Sequence, residues 1–259
     1  MVKPDFLRVG YFGFGIAALL LLGFGAAGVQ AQTACSSDSQ PRPTALLERF
    51  INADCVSCWS SPATPAAGAG QVALDWVLPG SQGIDAPLAA VARIDSQTRW
   101  SALLKKEGKN PALPARMAER ITSVVALGSK AFPLRVAHGG AQADYIGASI
   151  GVASLPRNTA LASGEKPWVA SLVLIEELPA GTEGSQVSRN LVRNLLQAPF
   201  YLHKQLSKKE QTPPLTGWLE TRSMNIPAGA NPERLRVVGW LEDNQGRIRA
   251  AAQSRCIPG

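Results

Sequence analysis

The chain has 259 residues, 46% of them hydrophobic, and its 26 Lys and Arg against 19 Asp and Glu give a formal net charge of +7. That length suits one large domain or two small ones. The basic residues are scattered, and the short clusters Lys105-Lys106 and Lys208-Lys209 sit beside Glu107 and Glu210. A nucleic-acid footprint needs a dense basic stripe with stacking aromatics, so the expected surface is a solvated one with no nucleic-acid partner.

Residues 1–31 read as an export signal. Lys3 and Arg8 make a weakly positive start, residues 9–29 carry no charge, and Leu19-Leu20-Leu21-Leu22 lies at the centre. Val29-Gln30-Ala31 places small residues at the two positions a signal peptidase reads, with cleavage before Gln32. An uncleaved anchor is the rival reading, because a membrane-spanning helix needs about 20 apolar residues. A lipoprotein would need a Leu-like residue three before Cys35, where Gln32 stands. Loss of Lys3, Asp5 and Arg8 with the signal leaves a charge of +6. The expected location is the periplasm or the exterior of a bacterial cell, with no membrane association after cleavage.

Residues 32–43, rich in Ser, Asp, Gln and Pro, read as a flexible leader. Residues 44–51 are apolar enough for a buried strand. A helix is expected to start at Cys55-Val56-Ser57-Cys58, with Pro62 and Pro65 interrupting it. Helical character is expected again over 71–78, stopped by Pro79-Gly80. Residues 88–94 read as the next strand, which makes a strand–helix–strand crossover with parallel strands. A polar stretch follows through Asn110. Met117, Ile121, Val124 and Val125 have near-helical spacing within 115–127, closed by Gly128. Residues 133–138 read as a strand, Gly139-Gly140 as a turn and 144–152 as the returning strand. Residues 155–167 have a linker's composition. Beyond them, 168–175 reads as a strand, 187–196 as helical, 217–226 as extended, and 234–241 with 247–253 as a hairpin.

The first half therefore reads strand–helix–strand–helix–strand–strand, the order of a thioredoxin core, and a Cys-x-x-Cys after the first strand is where such folds carry their dithiol. The expected fold class is α/β: a signal peptide over 1–31, a thioredoxin-like domain over 44–155, and a β-rich domain or extension over 167–259.

Four cysteines suit an oxidising compartment. Two form the Cys55/Cys58 pair. Cys35 and Cys256 stand near the ends of the mature chain, and an even count in an exported protein invites a second, structural disulfide between them, although pairing cannot be read from sequence alone.

Glu48, Phe50, Cys55, Ser57 and Cys58 fit the opening pattern Glu-Leu-Phe-Thr-Ser-x-Gly-Cys-Ser-Ser-Cys-Pro of the exported bacterial proteins grouped as domain of unknown function 1223. Ile94-Asp95, the segment from Pro133 to Gly139, and Asn190-Leu191-Val192-Arg193-Asn194-Leu195 follow further patterns of that family in the same order. The chain thus resembles a divergent member, departing from the pattern at Arg49, Ile51, Asn52, Asp54, Val56 and Trp59. The resemblance implies export and a thioredoxin-like fold, with no established substrate. It also implies that Pro133 is a cis-proline facing the dithiol; by itself the residue shows only a proline at a strand start.

In disulfide exchange the thiolate is the nucleophile, and a helix N-terminus favours it. Cys55 would attack and Cys58 resolve, with Pro133 completing the catalytic set. Asp54 beside Cys55 opposes the thiolate unless its carboxylate is engaged as a helix N-cap. Trp59 would form a substrate-binding rim beside the dithiol, or pack in the core. His138 or His203 would be the third ligand if Cys55 and Cys58 held a metal, but with no second Cys-x-x-Cys no zinc site is expected, and a copper(I)-handling pair is the weakest reading. Walker-type and His-Glu-x-x-His motifs are absent from the sequence. No cofactor is expected. The two functional readings are a thiol–disulfide oxidoreductase acting on protein thiols, and a non-catalytic envelope scaffold with a closed Cys55–Cys58 disulfide.

Overall fold

The computed structural model describes residues 35–126, 132–152, 167–200 and 217–256. All of them belong to the second of the chain's two units, 32–259. The predicted signal, its cleavage site, His203 and residues 155–166 of the linker lie outside the described residues.

Besides three single 3-10 turns, the described residues contain twelve strands and two α-helices: β1 (Cys35–Ser36), β2 (Ala45–Asn52), α1 (Val56–Trp59), β3 (Gln71–Leu78), α2 (Ile94–Lys106), β4 (Met117–Ser123), β5 (Leu134–Gln142), β6 (Tyr145–Val152), β7 (Trp168–Leu178), β8 (Arg189–Phe200), β9 (Trp218–Asn225), β10 (Leu235–Glu242), β11 (Ile248–Gln253) and β12 (Arg255–Cys256). They form a seven-stranded sheet in the order β11-β10-β7-β8-β3-β2-β4 and a five-stranded sheet in the order β12-β1-β5-β6-β9.

The thioredoxin-like α/β expectation is overturned by this topology: the architecture is two large sheets with one substantial helix. β2 and β3 are parallel, running from Ala45 opposite Gln71 to Asn52 opposite Leu78. Their connection holds only the single turn α1, because Pro62 and Pro65 remove the backbone donors a longer helix would need. Residues 71–78, 117–123 and 189–200 are strands rather than helices. Residues 89–91 form a 3-10 turn, and the polar stretch after them is the helix α2. Gly139 and Gly140 lie within β5, whose pairing with β6 shifts register between His138 and Ala141. The strands over 45–52, 145–152, 168–178, 218–225 and the β10–β11 hairpin stand where the apolar pattern put them.

The seven-stranded sheet is covered on both faces. On one, Leu46, Phe50, Val72, Leu74, Trp76, Val192 and Trp240 pack with Trp100 and Leu104 of α2. Phe50 and Trp100 lie 4.9 Å apart between ring centroids. Arg99, one turn from Leu103, is buried too. It donates twice to Glu48 at 2.9 Å and once to Glu242 at 3.0 Å. The other face meets the five-stranded sheet through Val136, Ile150, Leu172, Leu174, Val237 and Ala250. Gly239 marks the closest approach: a Cβ there would lie 2.6 Å from Val136 Cγ1 and 2.8 Å from Ile150 Cδ1, so the sheets come this near only because that side chain is missing.

β3 and β8, which join strands from the two predicted segments, share only the pairing Asp75 with Leu191. Side chains close the rest of this seam. The Asn190 N–H donates to Asp75 at 2.9 Å and the Asn190 side-chain amide donates to the Ala73 carbonyl at 2.9 Å. Among the described residues no helix is long and apolar enough to cross a membrane.

Candidate functional site

β2 ends in a polar turn that delivers the two cysteines. The Asp54 N–H donates to Asn52 Oδ1 at 2.9 Å, and the Cys55 N–H donates to the Asn52 carbonyl at 2.9 Å. α1 then begins with Cys55 as its first flanking residue, and its Ser60 N–H closes the turn on the Val56 carbonyl at 3.0 Å. Cys55 and Cys58 are joined as a disulfide, with Cα atoms 5.3 Å apart. The two sulfurs differ in environment. Cys58 is 5% exposed among Ile51, Val77 and Leu191, whereas Cys55 is half-buried and its neighbour Val56 is 54% exposed. Ser57 Oγ lies 3.5 Å from Cys55 Sγ.

Asp54 does not cap this turn. Its carboxylate accepts from Ser81 Oγ and the Ser81 N–H, both at 2.7 Å, and from the Gln82 N–H at 3.2 Å. The Ser81 hydroxyl above all, helped by the Ser81 and Gln82 backbone N–H groups, holds its pKa below the usual 3.8, and together they outweigh desolvation, the second-largest influence, which pushes it up. Gly80 is required by this clasp, because a Cβ there would fall 2.0 Å from Asp54 Oδ1.

Trp59 is not a rim. It is 5% exposed, its indole N–H donates to the Glu183 carbonyl at 2.7 Å, and the Arg189 guanidinium carbon lies 4.9 Å from its ring centroid. Arg189, in turn, holds the whole segment after the dithiol. It donates to the carbonyls of Cys58 (3.3 Å) and Trp59 (2.7 Å), to Thr64 Oγ1 (3.0 Å), to Ser185 Oγ (2.9 Å) and to Asp75 (3.0 Å). Asp75 also accepts from Arg49 at 2.6 Å, and Arg49 donates to the Pro65 carbonyl at 2.8 Å. Two guanidiniums against one carboxylate leave a net positive charge under the dithiol turn. Burial pushes the Arg189 pKa down, and the Asp75 carboxylate pulls it back up.

The structure does not bring Pro133 to this turn. Pro133 precedes β5 in the five-stranded sheet and lines a cavity with Ser37, Asp38, Arg42 and Arg135. Its neighbours Phe132 and Leu134 belong to a different apolar cluster from Cys58 and Trp59. The facing proline of a thioredoxin site is therefore not supplied by this residue, and the one-turn α1 has little helix dipole to offer.

The second cysteine pair is joined as well: Cys35 and Cys256 form a disulfide across 221 residues of sequence. Cys35 of β1 lies opposite both Cys256 of β12 and His138 of β5. Directly paired residues of antiparallel strands project to the same side, so three neighbouring strands bring Cys256, Cys35 and His138 into one row. His138 is thus gathered with the outer cysteines rather than with Cys55 and Cys58. It is 6% exposed, and its Nδ1 lies 2.9 Å from the Gly139 carbonyl. Burial first, and the charge of Arg236 after it, lower its pKa from 6.5 against the opposing Gly139 contact.

Sequence reasoning missed the Arg49–Asp75–Arg189 cluster. Its available signal was charge out of place: Arg49 and Asp75 each interrupt an otherwise apolar strand, which in a buried strand demands a partner. No family model, curated protein or solved structure matches this chain, so the family resemblance rests on the quoted residues alone.

Proposed function

We propose that the protein exchanges disulfides with protein thiols in an oxidising space outside the cytoplasm, through Cys55 and Cys58. The observation that carries this reading is the uneven exposure of the pair: one sulfur belongs to a half-buried residue on an exposed turn, the other to a buried one. That arrangement directs an incoming thiolate to Cys55.

From the oxidised form, a substrate thiolate attacks Cys55 Sγ. The substrate–Cys55 bond forms, the Cys55–Cys58 bond breaks, and Cys58 leaves with the electron pair. A second substrate thiolate then attacks the substrate sulfur of the mixed disulfide and releases Cys55. The substrate dithiol loses two electrons and two protons, and the Cys55/Cys58 pair gains them. In the reverse direction Cys55 is the nucleophile and Cys58 resolves. The net positive charge of Arg49, Asp75 and Arg189 under the turn favours the thiolate in both directions. The Asp54 charge is engaged by Ser81 and Gln82, which lessens its opposition. The test is oxidation of a reduced protein substrate by the purified chain and by Cys55→Ser. Loss of activity in the variant is expected, and equal activity in both overturns the proposal.

A second reading has its own support. Trp59 and Arg189 pin the turn from inside, and Pro133 lies elsewhere, as suits a closed staple in a non-catalytic envelope protein whose β-rich body carries the interaction surface. A structural disulfide of that kind has a reduction potential below about −300 mV. A potential well above that value favours exchange.

A further inference from the structure

The row of Cys35, Cys256 and His138 plays no part in the exchange reaction proposed above. A ring nitrogen of His138 and the two sulfurs all lie within 4.8 Å of one another. The Gly139 carbonyl can only accept, so the Nδ1 that meets it carries the proton. That leaves the lone pair on Nε2, which is buried and makes no hydrogen bond with any described residue. An orphaned acceptor at this depth is costly unless something meets it. Metal-binding histidines have this same arrangement, with one ring nitrogen donating to a backbone carbonyl and the other turned to the ion.

We propose that the dithiol form of Cys35 and Cys256 binds one Cu(I) ion, with His138 Nε2 as the third ligand. Two thiolates and one imidazole make a soft donor set, which suits Cu(I). Zinc sites are instead nearly always four-coordinate, and no fourth His, Cys, Asp or Glu joins this group among the described residues. The site exists only after the disulfide opens. A dithiol reductant transfers two electrons and two protons to the Cys35–Cys256 bond and becomes a cyclic disulfide. Cu(I) then forms two copper–sulfur bonds, the two thiols release two protons, and Nε2 donates its lone pair with no proton change. Closing the disulfide and holding the ion use the same sulfur electrons, so the two states exclude each other.

The experiment uses the full chain carrying Cys55→Ser and Cys58→Ser, which removes the other thiol pair. The protein is reduced anaerobically with dithiothreitol, freed of the reductant, and titrated with Cu(I) against a chromophoric Cu(I) chelator, with Zn(II) in a parallel titration. The expected result is one Cu(I) per chain, and X-ray absorption showing sulfur and nitrogen together in its coordination shell. His138→Gln is expected to weaken binding more than about 100-fold, since losing even an outer partner of a ligand costs about 10–100-fold. Because the absorption spectrum is read on a chain that keeps His138, a folding failure of His138→Gln does not shelter the proposal. Absence of stoichiometric Cu(I) binding, equal binding by the oxidised chain, a sulfur-only shell, or tighter binding of Zn(II) overturns it.

Discussion

Replacing Asp75 by Asn tests whether the buried charge cluster holds the dithiol turn to the large sheet. Asp75 is wholly buried and accepts from Arg49, Arg189 and the Asn190 N–H at 2.6, 3.0 and 2.9 Å. Asn keeps the shape but removes the negative charge, and it turns an N–H2 group toward donors that need an acceptor. Two buried guanidiniums are left without a counter-charge. Breaking a buried pair in this way costs about 3–5 kcal/mol. With a urea m-value of about 2–3 kcal/mol/M, that is a midpoint lower by roughly 1–2.5 M. Arg49→Met in the same chain removes one of the orphaned cations, so the double variant should be more stable than the sum of the singles by about 1–3 kcal/mol. Arg189 links the cluster to the carbonyls of Cys58 and Trp59, so Asp75→Asn should also speed reduction of the Cys55–Cys58 disulfide by dithiothreitol. A loss below about 1 kcal/mol, or strict additivity with Arg49→Met, would refute the account, since either means the three charges do not act as a buried unit.

The remaining predictions concern the two sheets and their ends. Gly239→Ala puts a methyl 2.6 Å from Val136 Cγ1 and should cost about 1–3 kcal/mol as overpacking, seen as a lower urea midpoint; no change would mean the sheets separate freely there. Replacing Cys35 and Cys256 together by Ala opens a loop spanning 221 residues and should lower stability by up to about 5 kcal/mol in the chain-entropy account, with dithiothreitol lowering the intact protein's midpoint in the same direction. Asp243 governs an acid-sensitive window. Burial alone would raise its pKa, but the backbone N–H groups of Arg247 and Gln245 and the guanidiniums of Arg247 and Arg249 outweigh it and hold the group below 3.8. A folded pKa below the unfolded one means that its stabilisation is complete above about pH 4 and fades as the pH falls through the folded value. Asp243→Asn should therefore lower stability at neutral pH and weaken its fall below pH 4, read from denaturant midpoints across that range.

The elements legible in the sequence are those whose pattern reflects one exposure rule. The β5–β6 and β10–β11 hairpins, β7 and β9 follow the apolar runs and turn residues closely. β2 is also legible, since Leu46, Leu47, Phe50 and Ile51 keep an apolar run around the buried Glu48 and Arg49. The misread elements are those where partners distant in sequence set the exposure. β3 is covered by α2 on one face and by the dithiol turn on the other, so it shows no alternation and passes for a helix. β8 buries Arg189 and Arg193 in ion pairs with Asp75 and Glu176, which makes its inward face look polar. α2 hides for the same reason: Arg99 occupies a buried position of the helix and finds its carboxylates on β2 and β10.

Cysteine number and spacing pointed to the two pairs that the structure joins, because a three-residue spacing and an even count in one chain leave few pairings. Sheet order, the placement of Pro133 away from the dithiol, the inward turn of Trp59 and the meeting of His138 with Cys35 and Cys256 were decided only by tertiary packing. Each depends on which strands lie side by side, and strand pairing between distant segments is settled by the burial of whole faces rather than by any local preference of the chain.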